Sequence, residues 1–338
     1  MFAYVIRRLF VGVIMLLVMS LVTFLLFFAG PLDPARFACG KNCSEAQQAQ
    51  TSKALGFDKS PVVQWSDFVK GVVTGRQFPD DPALRKAAPK LVTDCPTGCL
   101  GYSVVSTSTV NKEFKEAIPV SVSIAIFAFI MWIIGGVLFG VIAALFKGRL
   151  LDRGIVGIAL VFFAFPTFFI GQLFLQFVAI KWRVFEVPDY MSIAEGGIGA
   201  WAYNLLLPAF TLALFYMAGY VRMTRAFVLE SMGEDYLRTA RAKGVRQSRV
   251  LFKHALRAAL TPLVTMAGLD FASLLGGAII TETVFNFNGL GKLAVVAVNT
   301  YDLPTLVGLV ILLATFVILA NIVVDILYAV IDPRVRVG

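Results

Sequence analysis

Apolar positions in this chain fall in long unbroken blocks separated by polar stretches, with no strict alternation. Six blocks reach the roughly 20 residues a helix needs to cross a bilayer. They are Leu9 to Gly30, Ile118 to Phe146, Gly154 to Ile180, Gly196 to Val221, Ala258 to Thr281 and Leu303 to Val324. Only the fifth carries a charge, Asp270. Continuous runs predict helices rather than barrel strands. Pro166 sits inside the third and predicts a kink there. Arg7 and Arg8 precede the first block as they would in a secretory signal. That block is longer than a signal's apolar core, and no small-x-small cleavage site follows, so it predicts an uncleaved span ended by Gly30-Pro31.

Composition agrees. The 338 residues are 58% hydrophobic and 15% charged, with mean hydropathy +0.81. A soluble domain has roughly 25% charged residues. The expected fold class is an all-α membrane protein with six transmembrane helices. Charge then sets its orientation. With the N-terminus inside, the inner segments hold sixteen basic residues, nine of them between Arg222 and Arg257. The two short outer loops hold three, Lys181, Arg183 and Lys292. The long segment from Pro31 to Ala117 is exempt, because long loops cross largely regardless of charge. Both termini are therefore expected in the cytoplasm. The formal charge of +9 is an orientation signal and gives no reason to expect nucleic-acid binding.

Three parts follow: 1–30 with the first span, 31–117 as a small extracytoplasmic subdomain, and 118–338 as a five-helix core. Within 31–117, Ala46 to Leu55 is helix-like, and apolar residues from Val62 to Val73 recur at helical spacing after Pro61. Trp65 and its neighbours either lie against the membrane surface or cap the outer mouth of the helix bundle, or they simply pack on the outer helix ends. Leu100 to Asn111, rich in Val, Ser and Thr, predicts a short extended piece. Cys39, Cys43, Cys95 and Cys99 all lie in this subdomain, where an extracytoplasmic setting permits disulfides. Metal binding and free thiols are the alternatives; the C-x3-C spacing and the lack of a nearby His speak against zinc. Turn-like Gly40-Lys41-Asn42 and Pro96-Thr97-Gly98 favour local Cys39–Cys43 and Cys95–Cys99 bridges.

The segment from Glu230 to Pro262 is too polar to span yet strongly helix-forming. It predicts one helix over Glu234 to Lys243, a turn with Gly244 at C′, and a second helix over Ser248 to Leu260 capped by Ser248. Such a helix-turn-helix can serve as a docking knob, or it can lie on anionic lipid by its basic face. The order of residues adds to this. Tyr236, then Thr239-Ala240-Arg241-Ala242-Lys243-Gly244, Val250, His254-Ala255-Leu256-Arg257 and Pro262 resemble the EAA loop of ABC importer permeases, and most of all the dipeptide/oligopeptide permease family. The resemblance runs the full chain. It includes Tyr4 to Leu9, Gly56 to Pro61 with Gln64, Gly276 to Phe285 with Gly289-Leu290-Gly291, and Asn321 to Arg336. Glu234-Asp235 stands where the family pattern opens with Glu-Ala-Ala, and the four cysteines are not part of that pattern.

The resemblance implies a type I ABC importer permease fold in the bacterial inner membrane, forming half of a path for di- or oligopeptides. Relatives also carry nickel chelates and glutathione. It implies a second homologous permease subunit, two ABC ATPase subunits and an extracytoplasmic substrate-binding protein. The 222–257 loop would be the coupling element, with Glu234, Asp235, Tyr236, Arg238, Thr239, Ala240, Arg241, Lys243 and Gly244 at the ATPase. The chain has no Walker A sequence, so ATP and Mg are expected only in the partner ATPases, and no catalytic residue, cofactor or metal site is expected here. Gly289-Leu290-Gly291-Lys292 lacks the phosphate-loop spacing. An ATPase-independent secondary transporter is the rival class, although the paired broken helices of many such proteins are not evident. Asp270, costly at span depth, heads the residues expected along the path or against a partner. Gln172 and Thr211 follow, with Asn321 and Asp325 paired near the inner boundary.

Overall fold

Glycine and proline punctuation divides the apolar blocks into helices, and the computed structural model describes them over residues 2–28, 34–39 and 43–331. The expected helix stop at Gly30-Pro31, the turn at Gly40-Lys41-Asn42 and the motif at Asp332-Pro333-Arg334 lie outside the described residues, as do the side chains of Ser248 and Asp325. The helices of the first part are α1 (Phe2–Phe28), α2 (Pro34–Cys39), α3 (Glu45–Leu55), α4 (Pro61–Thr74) and α5 (Pro82–Ala87). Short strands β1 (Arg76–Phe78) and β2 (Thr93–Cys95) pair antiparallel, as do β3 (Tyr102–Ser103) and β4 (Ser108–Thr109). These ribbons correct the all-α expectation slightly. The Leu100 to Asn111 piece is extended as its β-branched and hydroxyl residues suggest, but it folds back on itself.

The core continues with α6 (Val110–Leu145), α7 (Leu150–Ala164), α8 (Thr167–Leu173, prolonged by a π-helical stretch Phe174–Lys181) and α9 (Ile193–Gly233). Then come α10 (Asp235–Ala242), α11 (Gln247–Arg249), a π-helical stretch Val250–Ala255, α12 (Leu256–Gly277), α13 (Ile279–Val284), α14 (Leu290–Thr300) and α15 (Leu303–Ile331). Among the described residues four helices are long and apolar enough to cross a membrane: Ile6–Phe28, Val110–Leu145, Ile193–Gly233 and Leu303–Val323. The third block is not one kinked helix. Pro166 lacks an N–H and forces Phe165 to extended backbone (φ −87°, ψ 137°). The two halves, Leu150–Ala164 and Thr167–Lys181, meet at 101° and count as a fifth candidate span if taken together. One bent helix pair of this kind exists among the described residues. The fifth block corresponds to α12 and α13, and its polar continuation holds an unexpected helix, α14.

The chain forms two units. In the first, Met1–Pro119 with Asn288–Leu319, α4 lies against α1. Phe24 and Phe68 meet at 5.2 Å between ring centroids, and Trp65 Nε1 donates to Ser20 Oγ at 3.0 Å. Trp65 thus packs on a span helix. Ser44 caps α3, accepting from the Gln47 amide, and Gly56 ends it with φ +73°. Lys59 Nζ bridges Asp67 and Asp80, both at 2.7 Å, and Arg76 reaches Asp80 at 2.9 Å. Both cysteine pairs close locally, Cys39–Cys43 and Cys95–Cys99. The second bridge is buried with Phe78. In α14, Leu290 packs with Val110, Phe114, Ala117 and Leu309.

In the second unit, Val120–Phe287 with Ala320–Gly338, α6 packs along α9 through small residues. A Cβ at Gly136 would stand 2.5 Å from the Tyr220 Cβ, and one at Gly140 would stand 2.5 Å from the Thr224 Cβ. Such close approach supplies the dispersion contacts that hold helices together in lipid. The core beside it centres on Ile124, Trp132, Leu205 and Leu274, all fully buried. The second inner helix differs from expectation. Helical backbone runs from Gln247 through Gly277 with no stop near Leu260. Its apolar continuation has no turn chemistry, and Pro262 is absorbed within the helix.

Candidate functional site

The knob is built around one apolar anchor. Leu237 of α10 is fully buried and packs with Val141, Val228, Val250, Leu251, Ala255 and Ala259. Glu234, Asp235, Tyr236, Arg238, Thr239, Arg241, Lys243 and Gly244 are all exposed, and Ala240 is half-buried. The helix stops at Gly244, whose φ of +74° suits only a residue without a Cβ penalty. The Gly244 N–H donates to the Arg241 carbonyl at 3.0 Å, and the Val245 N–H to the Ala240 carbonyl at 3.2 Å. Those are the two bonds of a Schellman motif, with Val245 and Ala240 supplying its hydrophobic contact. The predicted turn at Gly244 is thus present, and α10 carries a polar, exposed face on its apolar anchor.

The intramembrane candidates scatter. Asp270 is half-buried and accepts a hydrogen bond from Tyr220 Oη at 2.6 Å. Trp132 stacks on Tyr216 at 4.5 Å and lies 6.1 Å from Tyr220. Thr211 is buried, and its hydroxyl donates to the Leu207 carbonyl of its own helix at 2.9 Å. Gln172 is exposed on α8 and Asn321 is half-buried on α15.

Two families match this chain. The binding-protein-dependent transport system inner membrane component matches residues 136–337, and the corresponding N-terminal membrane component matches residues 1–125. The chain belongs to the binding-protein-dependent transport system inner membrane component family. Among similar proteins, a probable peptide ABC transporter permease protein of Sinorhizobium fredii is 32% identical, covering 98% of this chain and 99% of the relative. A putative peptide transport system permease protein of Brucella abortus is 33% identical, with 99% of both chains covered. The dipeptide transport system permease protein DppB of Escherichia coli is also 33% identical, again with 99% of both covered. Among solved structures, a chain of the inward-facing MetNI methionine ABC transporter superposes with a TM-score of 0.53 at 18% identity. The match covers 65% of this chain and 97% of that one. It places the core in the ABC importer permease fold.

As an inner-membrane component of such a system, the chain is a non-catalytic subunit. Sequence reasoning passed over two of its polar anchors. Asp152 is buried and takes a two-pronged grip from Arg225, Nε at 2.6 Å and a terminal nitrogen at 2.8 Å, while the Gly148 N–H donates to it at 2.8 Å. Both residues sit at block ends, where charge reads as orientation signal. Glu282 of α13 is also buried and accepts from Ser121 Oγ at 2.6 Å. It follows the fifth apolar block directly, which was the available signal.

Proposed function

We propose that this chain is one permease subunit of an ATP-driven peptide importer. With a second homologous permease it forms half of the path for di- or oligopeptides handed over by an extracytoplasmic binding protein. Six spans with both termini in the cytoplasm complete the arrangement, α12 with α13 supplying the span beyond those identified by length, and 31–117 faces outward. Two ABC ATPases, holding the ATP and Mg, close on the α10 knob. Closure pushes the knob, its stem moves with it, and the spans exchange inward- for outward-facing states, a two-state element biased by nucleotide.

The observation that carries this is the knob: a capped helix anchored by Leu237, with its charged and tyrosine face uncovered, in a chain whose full-length relatives are named peptide permeases. A lipid-lying amphipathic helix buries its apolar face in the headgroups; here Leu237 is buried in protein. Asp270 with Tyr220, and Gln172, Asn321 and Asp325, are assigned to the path or its partner contacts. The test is purification of the tagged chain with its partners. ATPase subunits should co-purify, and Gly244→Pro should abolish peptide-stimulated ATP hydrolysis while leaving membrane insertion intact. A chain that carries peptide with no ATPase bound, or unchanged stimulation in the Gly244 variant, refutes the reading.

A further inference from the structure

Within its unit, α9 leaves one face open. Phe215, Gly219 and Arg222 succeed one another on it at helical spacing. A Cβ at Gly219 would meet nothing within 4 Å, and Arg222 is exposed. Beside them stands Phe163 of α7, itself 43% exposed. Its ring stacks on Phe215 at 5.4 Å and lies 4.7 Å beneath the Arg222 guanidinium.

The position of that guanidinium is the unusual feature. Arg225, one turn further along α9, turns to Asp152 near the start of α7. Arg222 turns the other way, to Phe163. From Asp152 to Phe163 the helix advances about 16 Å at 1.5 Å per residue. A boundary arginine ordinarily snorkels toward the aqueous phase; this one reaches along the span. Among the described residues Arg225 has a carboxylate partner, whereas the recorded contact of Arg222 is an aromatic ring. Arg222 follows directly on the fourth apolar block, so its charge stands at the inner end of the span, open to an anion that passes there.

We propose that Arg222 recognises the carboxylate of the transported peptide in passage. Phe163 and Phe215 form its aromatic shelf, and the missing side chain at Gly219 gives clearance. This rests on the peptide reading above. The chemistry suits transit: a guanidinium grips a carboxylate through two parallel hydrogen bonds, while the ring retains the guanidinium before and after. Exchange between ring and carboxylate lets cargo leave, which a standing ion pair would hinder.

The experiment uses the complete transporter with its binding protein in proteoliposomes. It compares wild type, Arg222→Lys, Arg222→Gln and Gly219→Leu. Peptide uptake per ATP hydrolysed should fall about tenfold in Arg222→Gln, the scale of losing a charge-assisted hydrogen bond. It should fall less far in Arg222→Lys, which keeps the charge and loses the two-pronged grip, and it should fall in Gly219→Leu, with basal ATP hydrolysis unchanged in the Gly219 variant. Vesicles of phosphatidylcholine alone should reproduce the Gln effect. Wild-type uptake of peptide with equal uptake by Arg222→Gln overturns the inference and leaves the peptide reading standing. Lys behaving like Gln supports the two-pronged grip, which an ammonium cannot make. Loss of basal hydrolysis or assembly with Gln assigns Arg222 to a partner subunit. An effect confined to anionic vesicles assigns it to a lipid phosphate. Absence of peptide uptake by wild type removes the peptide reading itself.

Discussion

Arg225 grips Asp152 with two hydrogen bonds, and Asp152 also accepts from Gly148, so removing Arg225 strands a buried charge on Asp152, and removing Asp152 leaves Arg225 unmatched in a half-buried setting. Asp152→Ala should lower the thermal midpoint of the purified complex, and adding Arg225→Met should recover part of the loss; a double-mutant cycle measures the coupling. Asp80 responds to pH. Burial pushes its carboxyl up, but the Lys59 ammonium and the Arg76 guanidinium outweigh that and hold it below the ordinary 3.8. For Lys59, burial works downward, and hydrogen bonds to Asp67 and Asp80 carry it above the ordinary 10.5. A carboxylate with a lowered pKa contributes stability that is present above its unfolded value and lost as pH falls through the folded one. The 31–117 subdomain should therefore hold its network at neutral pH and loosen below about pH 3.8. Hydrogen exchange of β1 against pH measures this, and Asp80→Asn should flatten the profile.

Elements obey the same accounting. The α6–α9 seam depends on absent side chains: Gly140→Val would drive atoms into Thr224 and the Val221 carbonyl, which lies 2.8 Å from an added Cβ. Overpacking of this kind costs about 1–3 kcal/mol, to be read from thermal unfolding in detergent. In the knob, Gly244→Ala meets no clash, since nothing lies within 4 Å of its Cβ. It pays only for left-handed backbone, about 1 kcal/mol, and Gly244→Asn should pay less. Fraying of α10, followed by amide exchange at Gly244 and Val245, checks the order Gly, Asn, Ala. Much of this was legible beforehand. The helix over Glu234 to Lys243 and its Gly244 turn follow from local capping rules, which need no partner. The continuation of the second helix past Leu260 was not, because a polar helix entering an apolar one leaves no local mark where they fuse.

At the scale of the molecule, the proposed transmission of force can be separated from folding, because the exposed face of α10 and its buried anchor are different residues. Tyr236 is 48% exposed, so Tyr236→Ala should leave the unfolding free energy within about 0.5 kcal/mol of wild type, as surface substitutions do. It should nonetheless reduce peptide-stimulated ATP hydrolysis by the complex. Leu237→Ala, by contrast, should cost about 2–5 kcal/mol by opening a cavity, and should fail in both measurements.

By itself the sequence determined the membrane class, the blocks that become helices and the local turn of the knob, and it favoured the cysteine pairing that the structure holds. Each depends on residues close together along the chain, where hydropathy, turn geometry and capping act. Tertiary structure alone decided the partnership of Tyr220 with Asp270, the grip of Arg225 on Asp152 and the seat of Arg222 over Phe163. Those depend on which distant helix comes alongside and at what height. Small residues such as Gly136 and Gly140 permit that approach, but the pattern of apolar positions does not say which helix accepts it.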